Sequence, residues 1–447
     1  MLGRIKSRMS GMQMIALGFV VLISIGTLLL MLPISSRSGE WTPFLTSLFT
    51  ATSASCVTGL VVVDTFTHWS LFGQLIILCM IQIGGLGFIT FGVAISLLLH
   101  QKIGLKQRGL IQESYNTLEI SGVVKLTKRV VFGALLFESA GAVLLTIRFV
   151  QQMDFPHALY YGIFHSISAF CNAGFDLMGA YTPFSSLTAY YNDPLIVLTI
   201  SALIIIGGIG FFVWSDIREH GLHFKHYALH TKMVLSATAV LLVLSTLLFY
   251  LLERNYLFAD MDGQGQFLSS LFCAVTPRTA GFNTTDVGAL RDSSKLLTCI
   301  LMFIGGAPGS TAGGIKVTTI FVLLLYVRST LMRTSGTNVF KRRLENSVIE
   351  KAAVVMFLNL CLGLCAILAI SSMTPFALTD ITLEVFSAIG TVGMSAGLTT
   401  QLNTGAHLIL ILLMYLGRVG SLSFALAFTD KKKIAHVLQP VEKINVG

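Results

Sequence analysis

Apolar runs recur along the whole chain, and many approach or exceed the roughly 20 residues that a helix needs to cross a bilayer. Charged residues make up only 11% of the 447 residues, whereas soluble domains carry roughly 25%. These features predict an integral membrane protein and argue against a soluble enzyme. The first run, from Met12 to about Leu32, is too long for a typical signal peptide and is interpreted as a retained span.

The runs follow one order that occurs four times. A full span leads to a helix too short to cross, a glycine-bearing loop follows, and a second span completes the unit. These second spans are predicted at about 70–100, 193–214, 294–332, where the span is interrupted, and 406–428. Such self-similarity at similar spacing is the signature of an internal repeat. The predicted fold is an all-α integral membrane protein with four tandem membrane–pore-loop–membrane repeats around a pseudo-fourfold pore, eight full spans and four half-length pore helices. The predicted repeats are residues 1–105, 106–222, 223–335 and 336–447.

The register of the four loops also matches residue by residue. Ser-Ala precedes the key glycine by six and five positions in the first, second and fourth repeats, and Val275-Thr276 stands there in the third. The alternative is chance recurrence in a chain with 41 glycines. The key glycines are Gly59, Gly174, Gly281 and Gly393.

A second glycine motif recurs in the spans that follow the loops. No strand precedes it, so a phosphate-binding loop is rejected. Close packing of helices through small residues is the simpler interpretation. The four copies are Gly84-Gly85-Leu86-Gly87, Gly207-Gly208-Ile209-Gly210, Gly305-Gly306-Ala307-Pro308-Gly309 and Gly417-Arg418-Val419-Gly420.

Charge predicts the orientation in the membrane. Most of the 30 Lys and Arg residues lie at the termini and in the connectors between repeats. Because basic residues are retained on the cytoplasmic side, the termini and connectors are predicted to be cytoplasmic, and the glycine loops to approach from outside. This topology explains the net charge of +9 without nucleic acid as a partner.

Each half-length helix is predicted to aim its C-terminus, the negative end of its dipole, toward the bilayer centre, which favours a cation. An ion stripped of water there needs new oxygen ligands, and loop carbonyls can supply them. Thr391-Val392-Gly393 also begins the potassium-channel filter sequence. We predict a K+ filter of sixteen residues: Val57, Thr58, Gly59, Leu60, Asn172, Ala173, Gly174, Phe175, Thr279, Ala280, Gly281, Phe282, Thr391, Val392, Gly393 and Met394.

The second span of the third repeat is interrupted by glycines and a proline, which do not sustain a helix. We predict a flexible intramembrane loop just inside the filter that acts as a gate, and a simple kink or hinge is the alternative. The predicted gate comprises Gly305, Gly306, Ala307, Pro308, Gly309, Ser310, Thr311, Ala312, Gly313, Gly314, Lys316 and Arg418.

Two arginines require an explanation at membrane depth, where a buried arginine is costly unless it faces a cavity or a partner. Arg418 is predicted to meet the gate loop and to form part of a cytoplasm-side barrier, and a structural anchor to helix-end carbonyls is the alternative. Arg278, close to Gly281, is predicted to lie behind the filter, paired with a carboxylate such as Asp286.

The chain resembles, over essentially its whole length, the Ktr/Trk family of potassium-translocating subunits. The resemblance is most specific in residues 274–283, 309–316 and 417–420. It implies a homodimer with one pore per protomer, a filter carried by the four key glycines, a gating loop in the third repeat and an arginine at position 418 that contacts this loop. It also implies multi-pass insertion in a bacterial plasma membrane, in contact with lipid.

The absence of an extra N-terminal pair of spans makes the chain more similar to the shorter Ktr-type subunit. Such subunits work with a cytoplasmic nucleotide-binding ring, and ATP and sodium promote their activity. The resemblance therefore implies K+ as the transported ion, Na+ as a possible activator, and nucleotide bound only by the partner subunit.

Two other functions are weighed. A secondary symporter that couples K+ to Na+ or H+ is the main alternative, and it would favour an intramembrane carboxylate, for which Glu138 is the main candidate. A membrane enzyme lacks a nucleophile–base pair or a metal-ligand set in this sequence. His165 is therefore expected to be packed or hydrogen-bonded rather than catalytic, and the predicted function remains potassium uptake with no enzymatic activity.

Overall fold

The computed structural model describes residues 11–87, 90–93, 109, 123–334, 336–420 and 442. This part of the chain is helical apart from its turns, loops and one short hairpin, in which Asn338–Val339 pairs antiparallel with Arg342–Arg343. The prediction of a helical fold is thus confirmed for the described residues. The four longest helices are Gly11–Met31, Val123–Phe149, Leu229–Glu253 and Asn346–Met373.

One shorter helix follows each long helix, and we call these four the half-helices, numbered in chain order. Two of them begin with proline in or just before the first turn, at Pro43 and Pro156, where a missing N–H costs nothing. The third begins at Asp262, whose side chain accepts a hydrogen bond of 3.0 Å from the Gly265 N–H. The half-helices are Phe44–Ser55, Phe155–Phe170, Gly263–Val275 and Leu378–Gly390.

A further helix follows each half-helix after a loop, and we call these four the following helices. They are Leu71–Leu86, Pro194–Gly208, Asp292–Phe303 and Thr404–Val419. Further helices in the described part of the chain include Thr65–His68, Phe211–His220 and Val317–Leu331. The 3₁₀ turns are Pro33–Ser35, Met178–Ala180, Thr188–Tyr190, Phe224–His226 and Thr399–Gln401.

The packing of these helices is cyclic. Each half-helix packs against the long helix before it and against its own following helix. Each following helix also packs against the next half-helix in the chain, and the fourth following helix contacts the first half-helix. The chain therefore closes into a ring of four similar units, with the half-helices inside.

Four described helices are long and apolar enough to cross a membrane, or five if one bent pair is counted as a single span. Their outer faces carry large apolar side chains that stay exposed, such as Phe132, Val243 and Leu368 at about 70% exposure each. Such a surface is typical of contact with lipid rather than water. Eight full spans and four pore helices remain a prediction.

The predicted continuous span over residues 193–214 is wrong. The helices Pro194–Gly208 and Phe211–His220 meet at an angle of 94°. Gly210 has φ of +95°, a backbone conformation that glycine adopts without steric cost. The Phe211 N–H then donates to the Gly309 carbonyl, at 2.7 Å, instead of continuing the helix.

The last glycine of the other three motif copies also has a positive φ. The φ angles are +84° at Gly87, +64° at Gly309 and +92° at Gly420. The helix in the predicted span 70–100 ends at Leu86, and the helix in the predicted span 406–428 ends at Val419. Most of the remainder of these two spans lies outside the described residues.

Candidate functional site

The four stretches predicted as the filter, which we now call the glycine loops, meet around one axis. Each key glycine abuts the carbonyl oxygen of the residue that precedes the key glycine of the next loop. A Cβ atom placed on any of these glycines would lie closer than 3.0 Å to that oxygen, a separation that side chains do not adopt. The contacts are Gly59 with Ala173, Gly174 with Ala280, Gly281 with Val392, and Gly393 with Thr58.

The loops share one backbone conformation. In each loop the residue two positions before the key glycine has a positive φ, as does the glycine itself; at Thr391 and Gly393 the values are +50° and +93°. Left-handed backbone is unfavourable for a β-branched residue and persists only where the surroundings enforce it. The other pairs are Val57 with Gly59, Asn172 with Gly174, and Thr279 with Gly281. The four loops thus present matched backbones to one axis.

The serines in the predicted register hold the loops in two of the four cases. The Ser53 hydroxyl accepts from the Gly59 N–H and the Ser387 hydroxyl from the Gly393 N–H, each at 3.0 Å. The equivalent Ser168 hydroxyl is buried without a hydrogen-bond partner in the described part of the chain. In the third loop, Thr276 replaces this contact by donating to the Phe282 carbonyl, at 2.6 Å.

This difference gives a matched pair of variants. Ser387→Ala is expected to lower the midpoint of thermal unfolding, because a buried N–H left unpaired costs ~1–3 kcal/mol. Ser168→Ala is expected to leave the midpoint unchanged, since its hydroxyl makes no such bond. Unfolding of both detergent-solubilised variants measures the contrast, and equal losses would contradict the assigned role of Ser387.

The predicted gate residues 305–316 form a non-helical segment directly beside the ring. A Cβ atom on Gly313 would overlap the Thr391 side chain, and one on Gly305 would lie 3.5 Å from the Thr279 methyl carbon. The segment closes on itself, because the Gly305 N–H donates to the Ile315 carbonyl at 2.9 Å. It therefore lies against two of the four glycine loops.

The segment is also hydrogen-bonded to the broken helix of the second unit. The Ala307 N–H donates to the Gly208 carbonyl at 2.9 Å, and the Thr311 N–H to the Gly207 carbonyl at 3.2 Å. The Thr311 hydroxyl donates to the Phe170 carbonyl, at 3.1 Å, at the end of the second half-helix. These hydrogen bonds connect the segment of the third unit to the second unit and hold it in place.

Arg418 joins this segment to the first unit. Its guanidinium donates to the Thr311 carbonyl, to the Gly84 carbonyl, and to the Gly85 carbonyl at 3.0 Å. Arg418 therefore contacts the segment, as predicted. It also contacts carbonyls at the end of a helix, as in the alternative of a structural anchor. The Lys316 ammonium donates hydrogen bonds to two carbonyls of the same segment, those of Ala312, at 2.8 Å, and Gly313, at 3.2 Å.

The glycine motifs of the following helices pack as expected from small residues. A Cβ atom on Gly84, Gly207 or Gly417 would overlap a backbone carbonyl near the end of a half-helix. These carbonyls belong to Ser55, Phe170 and Ile389. In the first, second and fourth units, the motif thus sets how closely the following helix approaches its half-helix.

The predicted pairing of Arg278 with Asp286 is wrong. The Arg278 guanidinium donates to the Thr238 hydroxyl at 3.2 Å, on the third long helix, while the Asp286 carboxylate accepts from the Gly288 N–H at 2.9 Å. Arg278 is 5% exposed and points outward from the ring. The sequence alone does not predict Thr238 as the partner of Arg278, because the two residues lie on different elements of the fold.

Glu138 and His165 lie behind the second glycine loop. Glu138 accepts from the Gln82 amide at 3.0 and 3.1 Å, and the Cys171 thiol lies 3.9 Å from it. His165 is fully buried and hydrogen-bonded, as predicted. A sequence signal for the helix ends is the last glycine of the first, second and fourth motif copies, because the following helix ends one or two residues before it.

A comparison of the chain with known proteins finds a matching family. The profile of a family described as "TrkH: Cation transport protein" matches residues 5–436. The chain is 40% identical to the Ktr system potassium uptake protein B of Bacillus subtilis, over 97% of this chain and 96% of that protein.

Two further relatives are also named as potassium uptake proteins, and one solved structure has a similar fold. The potassium/sodium uptake protein NtpJ of Enterococcus hirae is 39% identical over 99% of both chains. The Ktr system potassium uptake protein D of Bacillus subtilis is 34% identical over 100% of this chain and 99% of that protein. The crystal structure of the potassium transporter TrkH from Vibrio parahaemolyticus superposes with a TM-score of 0.74 at 22% identity, over 94% of this chain and 85% of that chain.

Proposed function

This chain belongs to the TrkH family of cation transport proteins, and on that premise we propose that it carries K+ into the cell through a carbonyl-lined filter. The observation that carries the proposal is the closed ring of four glycine loops. The names of the relatives, which describe potassium uptake and potassium/sodium uptake, support the choice of ion.

The ring offers the chemistry that a dehydrated cation requires. Backbone carbonyls of four matched loops surround one axis and can replace water ligands. The half-helices end at the loops, so their negative dipole ends add to the attraction. The filter consists of residues 57–60, 172–175, 279–282 and 391–394.

The proposed architecture is four membrane–pore-loop–membrane repeats, 1–105, 106–222, 223–335 and 336–447, with eight full spans. The basic connectors and termini face the cytoplasm, as the retention of basic residues on that side requires. The four loops then enter from outside, in a bacterial plasma membrane.

We assign gating to residues 305–314, Lys316 and Arg418. The segment lies one layer beyond the ring and contacts two of its loops, so an ion leaving the filter meets it next. Arg418 adds a positive charge there. The filter selects the ion, and this layer controls whether it passes.

The proposed assembly is a homodimer with one pore in each protomer, controlled by a cytoplasmic nucleotide-binding ring. Relatives named as proteins of a Ktr system support the need for a partner subunit. Nucleotide would bind only to that partner, and Na+ would act as an activator.

Symport of K+ with Na+ or H+ is the second candidate, and the buried Glu138 favours it as the site of a coupled ion. Reversal potentials in liposomes separate the two functions. For uptake through a filter alone, we expect the reversal potential to follow the K+ gradient and to stay unchanged when a Na+ or H+ gradient is imposed. A shift that disappears in Glu138→Gln would establish symport instead.

A further inference from the structure

Two buried polar side chains occupy one position in the second and fourth half-helices. His165 and Glu384 each stand nine residues before the key glycine of their loop. They are 0% and 1% exposed, respectively. Each side chain is hydrogen-bonded to the segment that follows its glycine loop. It therefore connects the half-helix before the loop with the chain after the loop.

The contacts of His165 define its tautomer. Nδ1 lies 2.7 Å from the Tyr161 carbonyl, so this nitrogen must carry the proton. Nε2 is then an acceptor, and the Leu177 N–H donates to it at 3.3 Å. A neutral imidazole thereby connects the second half-helix to the backbone three residues after Gly174.

Glu384 makes the corresponding connection with more bonds. One carboxylate oxygen accepts from the Ser395 hydroxyl and the other from the Thr399 hydroxyl, the latter at 2.7 Å. Two hydroxyl groups of the segment after Gly393 thus donate to one side chain.

The other two half-helices lack this connection in the described part of the chain. The same position holds Thr50 in the first half-helix and Phe272 in the third. The Thr50 hydroxyl is buried without a hydrogen-bond partner, and phenylalanine has no polar group to offer. Because the loops contact one another in the cyclic order first, second, third, fourth, the two connected loops face each other across the axis.

We propose that His165 and Glu384 are positioning residues that brace two opposite loops of the ring and thereby set its discrimination between K+ and Na+. The loops carry residues with left-handed backbone, which persists only where the surroundings over-determine it. The second loop depends most on its brace, since its Ser168 hydroxyl makes no bond to it. This inference rests on the proposed function, because it assigns a specificity role within the same filter.

The test compares His165→Leu and Glu384→Leu with Thr50→Val and Phe272→Leu, which change the same position in the two unbraced half-helices. The readout is the ratio of the apparent KM for Na+ uptake to the apparent KM for K+ uptake in proteoliposomes. We expect the ratio to fall about tenfold in the first two variants, the factor that corresponds to ~1.4 kcal/mol, and to remain near wild type in the other two. Equal changes in all four variants would overturn the proposal.

Two glutamine variants extend the test to the case in which a leucine variant does not fold. His165→Gln retains a side-chain carbonyl that can accept from the Leu177 N–H, so it should recover most of the ratio and is used if the leucine variant does not fold. Glu384→Gln, used in the same way, should lose about threefold, because its amide nitrogen cannot accept from one of the two hydroxyls that donate to the carboxylate.

Hydrogen exchange of the purified variants tests the brace without transport. The amide of Leu177 should exchange faster in His165→Leu. The amide of Gly397, which donates to the Ser395 hydroxyl held by Glu384, should exchange faster in Glu384→Leu, whereas Thr50→Val changes neither. Faster exchange in a protein that carries no K+ would refute the proposed function alone. Unchanged exchange would refute the brace.

Discussion

Gly393→Ser is expected to abolish selective potassium uptake while the protein still reaches the membrane. A side chain at this position would overlap the Thr58 carbonyl of the first loop, which belongs to the proposed ion pathway. The φ of +93° adds a backbone cost of ~1–3 kcal/mol for any residue other than glycine. The ring can relieve both only by moving the Thr58 carbonyl out of its place in the proposed filter.

The measurement is K+ uptake, with Na+ uptake beside it, in a bacterial strain that lacks its own potassium uptake systems. We expect K+ uptake to fall by at least tenfold and the preference for K+ over Na+ to be lost. A matched control is Gly39→Ser, since Gly39 also has a positive φ, +72°, but has open space around it. Gly39→Ser should therefore retain wild-type uptake.

The two variants separate backbone strain from damage to the ring. If both lose uptake, the effect is a general consequence of left-handed backbone. If Gly393→Ser keeps both the rate and the ion preference, the assignment of the filter is wrong, whatever the family of the chain.

Local patterns were sufficient to predict the four glycine loops and the non-helical segment beside them. The register of Ser53, Ser168 and Ser387 before the key glycines predicts four equivalent loops, because each loop is built from a few residues at fixed spacing. The interrupted helix before Lys316 was predictable for the same reason, since proline and clustered glycines destabilise a helix wherever they occur.

Contacts between distant units could not be predicted in this way. The partner of Arg278 is Thr238 on another helix, and nothing in the local sequence distinguishes it from Asp286. The bend at Gly210 depends on the Gly309 carbonyl from the third unit. His165 and Glu384 share a position, but their common role emerges only when their partners, far along the chain, are known.

Arg418→Gln is expected to raise potassium flux through the resting protein about tenfold or more. Charge-assisted hydrogen bonds contribute ~1.5–3 kcal/mol each, and Arg418 donates to carbonyls of both the broken segment and the first following helix. Glutamine has too few donors to span both and carries no charge. The substitution thus loosens the segment and removes a cation that repels K+.

Arg328→Gln is the matched control, because it removes one positive charge from the exposed last turn of the helix that follows the segment. It should leave the flux unchanged. Flux is measured in liposomes filled with K+, with thermal unfolding recorded on the same preparations. Lower thermal stability without a rise in flux in Arg418→Gln would identify Arg418 as an anchor only.

Arg418→Lys then separates the two ways in which an arginine can block the pathway. Lysine keeps the positive charge but lacks the planar fork that reaches two sets of carbonyls at once. If repulsion of the ion dominates, Arg418→Lys stays closed while Arg418→Gln conducts. If the bridge between the segment and the Gly84 and Gly85 carbonyls dominates, both variants conduct. The bridge is the stronger expectation, because the guanidinium is already committed to backbone carbonyls that partly neutralise its charge.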